Sequence, residues 1–268
     1  MIVPKMSIYQ MYEKIEADKV KIEFEAQKLM PKIIKEIKQQ RSFPFYKCVE
    51  YKPSSNNVHV IFFYAETKKD VEKPIWDFFT VLFNDRQRFV LKQRCEIYNG
   101  IGTRAIKIYT SHFFQRYKER KYNNMDLSKN ELACRFFSKN LSFDKKAYEI
   151  PIVINEEINR NFKEYGSSNH WVMLVNEGLC FTRSCQYDKT WKVSKLKETE
   201  ALLFIYTTFV SNSELKEPQK EALRKEYMNV YKEMYEDCKR NEAQEKMIAL
   251  RKNYKDILNF VETNRITL

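Results

Sequence analysis

The chain has 268 residues, with 48 Lys and Arg against 36 Asp and Glu, so its formal net charge is +12. Apolar residues make up 43% and aromatic residues 15%, enough for a sizeable core, and this excludes global disorder. Only 4 Gly and 7 Pro occur, which excludes collagen-like and linker-rich architectures and the Gly-rich loops that usually cradle nucleotide phosphates.

Residues 7–40 read as helix. Ile8, Tyr12, Ile15, Ile22, Ala26, Leu29, Ile33 and Ile37 recur at spacings of three, four or seven and leave Lys and Glu on the other side. Ser7 suits the N-cap, and Pro31 predicts either two helices or one kinked helix. After Arg41 the helical period ends, and Pro44 disfavours helical backbone at Phe43.

Four strands are then expected, at Val58–Tyr64, Trp76–Phe83, Arg88–Lys92 and Arg104–Tyr109. The turn signals between them are Ser54 to Asn57, Asn84-Asp85 and Asn99-Gly100, the spacing of an antiparallel meander. Ser111 to Lys121 switches back to helix, with Ser111 as its expected cap. A second helix is expected over Ser128 to Asn140, opened by the capping-box pattern Ser128-Lys129-Asn130-Glu131.

A second meander follows, at Ile150–Ile154, His170–Val175, Leu179–Arg183, Thr190–Val193 and Leu202–Val210. Asn176-Glu177-Gly178 suits a hairpin connection, and the very apolar Leu202–Val210 suits a central strand. The carboxyl-terminal part carries two helical stripes, one from Leu223 to Cys238 and one from Met247 to Val261. These features predict a single α+β domain over 1–268: an antiparallel meander sheet (44–212) with helices packed on it and helical extensions at both termini (1–41 and 214–268).

No stretch approaches the ~18 apolar residues of a membrane span, so no membrane partner is expected. Met1-Ile2-Val3-Pro4-Lys5 has no apolar signal region, and the six cysteines lack any C-x-x-C. Reduced thiols in the cytoplasm are the resulting expectation. Cys180 and Cys185 have no second pair at zinc spacing, so they read as small buried hydrophobes, and neither a metal nor another cofactor is expected.

The charge is unevenly spread. From Arg86 to Lys121 there are 10 basic residues and 2 acidic ones, so this window carries +8 of the +12. Arg86, Arg88, Arg94 and Lys107 are candidate phosphate contacts there, interleaved with Phe89, Leu91, Tyr98, Tyr109 and Phe113 as stacking surfaces. A solvated sheet face explains the same residues.

The same window holds Tyr109-Thr110-Ser111-His112-Phe113-Phe114-Gln115-Arg116-Tyr117-Lys118-Glu119-Arg120. On a helix His112, Arg116 and Glu119 or Arg120 share one face. Phosphodiester cleavage uses these groups: an imidazole that moves protons near neutrality, a guanidinium that grips phosphate, and a carboxylate that orients either. A surface salt-bridge ladder explains the same spacing. His170 is a candidate second acid or base, or a strand-edge histidine, and His59 within its apolar strand reads as structural.

The order of strand, His-x-x-x-Arg-x-x-Glu-Arg helix, second helix, meander and a strand carrying Thr207-Thr208-Phe209 resembles the RelE-like and BrnT-like bacterial ribonuclease toxins, of the barnase–EndoU–colicin–RelE group. The resemblance covers roughly residues 104–212 and implies metal-free RNA cleavage, with His112, Arg116, Glu119 and Arg120 on the motif positions. Arg183 and Thr207 or Thr208 lie where such folds place polar sheet residues. The first 100 and last 55 residues have no counterpart in those toxins. The expected activity is therefore that of a ribonuclease with RNA as partner. The alternatives are nucleic-acid binding without cleavage, and a scaffold that recruits a protein or forms a homodimer through the carboxyl-terminal helices.

Overall fold

A computed structural model describes residues 1–3, 5–84, 87–98, 101–140, 150–165, 169–183 and 201–226. The chain divides into two compact units. The first holds Met1–Ser138 and Arg183–Thr207, and the second holds Lys139–Thr182 and the chain from Thr208 onward. The class is α+β, with mostly antiparallel pairing and, among the described residues, one parallel pair of strands.

The first unit begins with one continuous helix, α1 (Ile8–Lys38). Ser7 caps it through a reciprocal bond with Gln10, as its residue type suggests. Pro31 sits inside the helix without dividing it. The carbonyl that Pro31 leaves without an amide donor belongs to Gln27, and both residues are exposed. The opposite stripe is buried, with Ile15, Ile22, Ala26, Ile33 and Ile37 at 0–1% exposure. Each isoleucine so buried contributes about 1.5–3 kcal/mol.

The stripe packs on a sheet of order β1-β2-β3-β4-β5-β9. Its strands are β1 (Phe45–Tyr51), β2 (Val58–Ala65), β3 (Ile75–Asn84), β4 (Gln87–Tyr98) and β5 (Ile101–Tyr109), an antiparallel meander of the four expected strands, β2 to β5, with β1 added at its edge. The β1 strand was not legible from its mixed aromatic and polar run. Between β1 and β2, Asn56 takes a left-handed φ of 58°, a conformation asparagine tolerates, as the turn signal there suggests. The turns expected at Asn84-Asp85 and Asn99-Gly100 lie at or within segments outside the described residues.

Departing from a pure meander, the last strand of this sheet runs parallel to β5: Arg104 to Tyr109 pair with Ala201 to Tyr206 of β9 (Ala201–Ser211). The face away from α1 carries an aromatic cluster. Tyr109 and Tyr206 stack at 4.2 Å, and around them lie Phe113 and Phe114 of α2 (Ser111–Lys121) and Phe136 and Phe137 of α3 (Lys129–Asn140). Ser128 and Glu131 form the expected capping box of α3.

In the second unit the order is β9-β8-β7-β6, with β6 (Ile150–Val153), β7 (Trp171–Val175) and β8 (Gly178–Arg183). Asn176 and Glu177 make the hairpin turn, and Gly178 opens β8. A cluster of Ile152, Ile158, Phe162, Val172, Leu179, Phe181 and Val210 forms the core of this unit. Ile158 comes from α4 (Glu156–Asn161), a helix too short to show periodicity, and Leu223 from α5 (217–226). The strand expected at Thr190–Val193 and the helical stripes beyond residue 226 lie outside the described residues. Among the described residues no helix is long and apolar enough to cross a membrane.

Candidate nucleic-acid interface

The motif helix α2 is fixed at its start by three contacts. Thr110, and not the expected Ser111, is the cap: its Oγ1 accepts from the Phe113 amide at 3.1 Å. The Thr110 amide donates to the Tyr206 carbonyl at 3.2 Å, which joins the start of α2 to β9. Ser111 Oγ instead donates to the Arg88 carbonyl on β4 at 2.6 Å.

Phe113 and Tyr117 are 0% exposed and Phe114 5%. These rings set the rotation of the helix, so His112, Gln115, Arg116 and Glu119 face solvent. Arg116 Nη1 meets Glu119 Oε2 at 2.8 Å, and Gln115 Nε2 donates to Glu119 Oε1 at 3.0 Å. These two bonds, Arg116 first, hold the Glu119 carboxyl below its ordinary range. His112 lies in the first turn of the helix, and its imidazole makes no hydrogen bond or ion pair among the described residues. Arg120 is half-buried, so the exposed face narrows to His112, Arg116 and Glu119.

The basic window around α2 is used internally to a degree that its spacing does not reveal. Arg88 is half-buried and donates through Nη2 to Asn130 Oδ1 at 2.5 Å, and Asn130 Nδ2 donates to Glu50 at 3.0 Å. Burial lowers the Arg88 pKa, and Glu50 opposes that shift. Lys107 is only 5% exposed, with its ammonium 5.9 Å from the centre of the Phe204 ring, so it lies within the fold and not on a solvated phosphate-binding surface. Its cross-strand neighbour Lys92 is 4% exposed and bonded to Asp77. Leu91, Tyr109 and Phe113 are core residues at 0–1% exposure, which removes them as stacking platforms.

Arg86, and the side chains of Arg94 and Tyr98, lie outside the described residues. Arg183 ends β8 and is exposed. His170 is exposed just before β7, with its amide bonded to the Thr182 carbonyl at 2.8 Å. Thr208 is buried and Thr207 half-buried. Among the described residues no group of three His, Cys, Asp or Glu side chains could hold a metal. No family model, curated protein or solved structure matches this chain.

Sequence reasoning missed a buried polar network on α1. Asp18 Oδ2 accepts from Ser55 Oγ at 2.6 Å and from Asn57 Nδ2 at 2.6 Å, and it lies 3.1 Å from His59 Nε2. His59 Nδ1 lies 2.9 Å from Thr80 Oγ1. Carboxylate, imidazole and hydroxyl in series resemble a nucleophile relay. His59 and Thr80 are 0% and 1% exposed, however, so no substrate reaches the hydroxyl. The signal that announces this network is Asp18 itself, a carboxylate on the apolar stripe between Ile15 and Ile22.

Proposed function

We propose that the chain is a metal-independent, toxin-like ribonuclease of the cytoplasm, with the exposed face of α2 as its working surface. The observation that carries this reading is the placement of His112 and Arg116 one turn apart on a face that the buried Phe113, Phe114 and Tyr117 hold toward solvent. His112 would take the proton of the RNA 2′-hydroxyl, which attacks the adjacent phosphorus, and return a proton to the leaving oxygen. Arg116 would hold the phosphate, and Glu119 would keep the guanidinium oriented through its 2.8 Å bond. The start of the helix, where His112 lies, favours an anion. Arg120 and Arg183 would extend the contact along the strand of RNA.

The test is incubation of the protein and its His112→Ala variant with single-stranded RNA in the presence of a chelator. Cleavage by the parent and a loss of at least about a hundredfold in the variant is the expected result. Equal cleavage by both, or none by either, overturns the assignment.

One observation favours RNA binding without cleavage as a second reading. Glu119 is engaged by Arg116 and Gln115, and no described side chain orients the His112 imidazole. Salt-sensitive RNA binding with no cleavage would select this alternative.

A further inference from the structure

Helix α3 meets strand β1 at one turn, where two thiols converge. Cys48 of β1 points its sulfur at the Asn130 carbonyl, 3.6 Å away. In an α-helix that carbonyl accepts the amide four residues on, which belongs to Cys134. A helical side chain also lies over the turn preceding its own Cα. The Cys134 thiol is thus directed to the same turn of α3 on which the Cys48 sulfur rests. The two thiols are near enough that Cys48 raises the Cys134 pKa, and neither is in a disulfide. Cys134 also lies 4.0 Å from Ser138 Oγ one turn further along.

The two thiols differ in access. Cys134 is fully buried, and burial together with the neighbouring Cys48 raises its pKa and keeps it protonated. Cys48 is half-buried and reachable by a small oxidant.

We propose that Cys48 and Cys134 are a reversible oxidation site, which hydrogen peroxide converts into a disulfide joining β1 to α3. The Cys48 sulfur attacks one peroxide oxygen, the O–O bond breaks, and Cys48 becomes a sulfenic acid with release of water. The Cys134 sulfur then attacks the Cys48 sulfur. The S–S bond forms, the S–O bond breaks, and the departing hydroxide takes the Cys134 proton as a second water. Two thiols lose two electrons and one peroxide gains them. A dithiol reductant reverses the reaction. Closure brings the two sulfurs from neighbouring positions at one turn of α3 to the ~2.05 Å of a disulfide bond. The bond constrains the unfolded chain between two distant positions and so raises resistance to denaturant.

The experiment treats the folded full-length protein with hydrogen peroxide, quenches it with catalase, blocks remaining thiols with N-ethylmaleimide in denaturant, and maps the digest by mass spectrometry. The expected result is a Cys48–Cys134 linked peptide that dithiothreitol removes, with a higher urea midpoint for the oxidised monomer. Cys134→Ser should instead leave a Cys48 sulfenic acid that dimedone traps, and Cys48→Ser should give no linked peptide. Full alkylation of both thiols after peroxide, or linkage of Cys48 to any other cysteine or to a second chain, overturns the proposal. The readout on the parent protein decides the matter even where a variant does not fold.

Discussion

Asp18 Oδ2 lies 3.1 Å from His59 Nε2, and both side chains are closed off from solvent. In the neutral imidazole the carboxylate accepts the Nε2 proton, so Nδ1 is the acceptor for the Thr80 hydroxyl, and burial favours this neutral form. Burial lowers the His59 pKa below 6.5 despite the opposing pull of Asp18. The unfolded chain therefore binds the extra proton first, and stability declines as pH drops from 6.5 toward the folded value. Asp18 adds a second, more acidic window. Burial raises its pKa, but hydrogen bonds from Ser55, Asn57 and His59 lower it further, to a net value below 3.8. Its contribution is complete above that pH and is lost as pH falls through the folded value. Urea midpoints should decline between roughly pH 7.5 and pH 5, and His59→Gln should flatten that part of the profile. A profile that is level in the parent over this range would refute the account.

Asp18→Ala strands three donors, at Ser55, Asn57 and His59, at about 1–3 kcal/mol each before relaxation. A net loss of about 3 kcal/mol by chemical denaturation is expected, with Asp18→Asn losing less because one amide oxygen still accepts.

How legible this was differs by element. The α1 stripe, the cap at Ser7, the capping box at Ser128, and strands β2 to β5 announce themselves through period and residue type. The cap of α2 did not, because Thr110 and Ser111 are adjacent and equally suited, and only the bond of Ser111 to the Arg88 carbonyl separates their roles. The parallel pairing of β9 with β5 joins residues almost a hundred positions apart, and no local pattern encodes it. At the candidate site, helical spacing identified the exposed triplet His112, Arg116 and Glu119. It did not distinguish Lys107 on a solvated face from Lys107 under Phe204, since alternation along a strand is the same for both.

Gly178 opens β8 against β9. A Cβ there would lie 2.1 Å from the Val210 carbonyl oxygen and 2.8 Å from the Phe209 ring. The first contact is with backbone, which does not swing aside as a side chain does. Gly178→Ala should destabilise the protein by at least about 1–3 kcal/mol, measured as a lower urea midpoint, and an unchanged midpoint would show that β8 and β9 separate at that point without cost.

The two faces of α2 should separate stability from function. Phe113→Ala removes a ring that contacts Tyr109, Phe114, Phe136 and Tyr206, and should cost about 3–5 kcal/mol. Arg116→Ala removes an exposed ion pair and should change stability by less than about 1 kcal/mol. Thermal and urea unfolding of both variants tests the assignment. Comparable losses would mean that α2 does not present the face described.

Salt dependence distinguishes the surface cation from the buried one. A phosphate contact on a single strand contributes about 0.7 to the slope of log affinity against log salt. Arg116→Ala should lower that slope by about this amount for single-stranded RNA. Lys107→Met should leave the slope unchanged in whatever fraction remains folded, because Lys107 is 5% exposed and lies under Phe204. Glu119→Gln should strengthen binding, since it releases Arg116 from its 2.8 Å partner and removes a negative charge from the contact face. The slope changes of Arg116→Ala and Lys107→Met are compared by titration at several salt concentrations. If Lys107→Met lowers the slope and Arg116→Ala does not, the RNA contact lies on the sheet and not on α2.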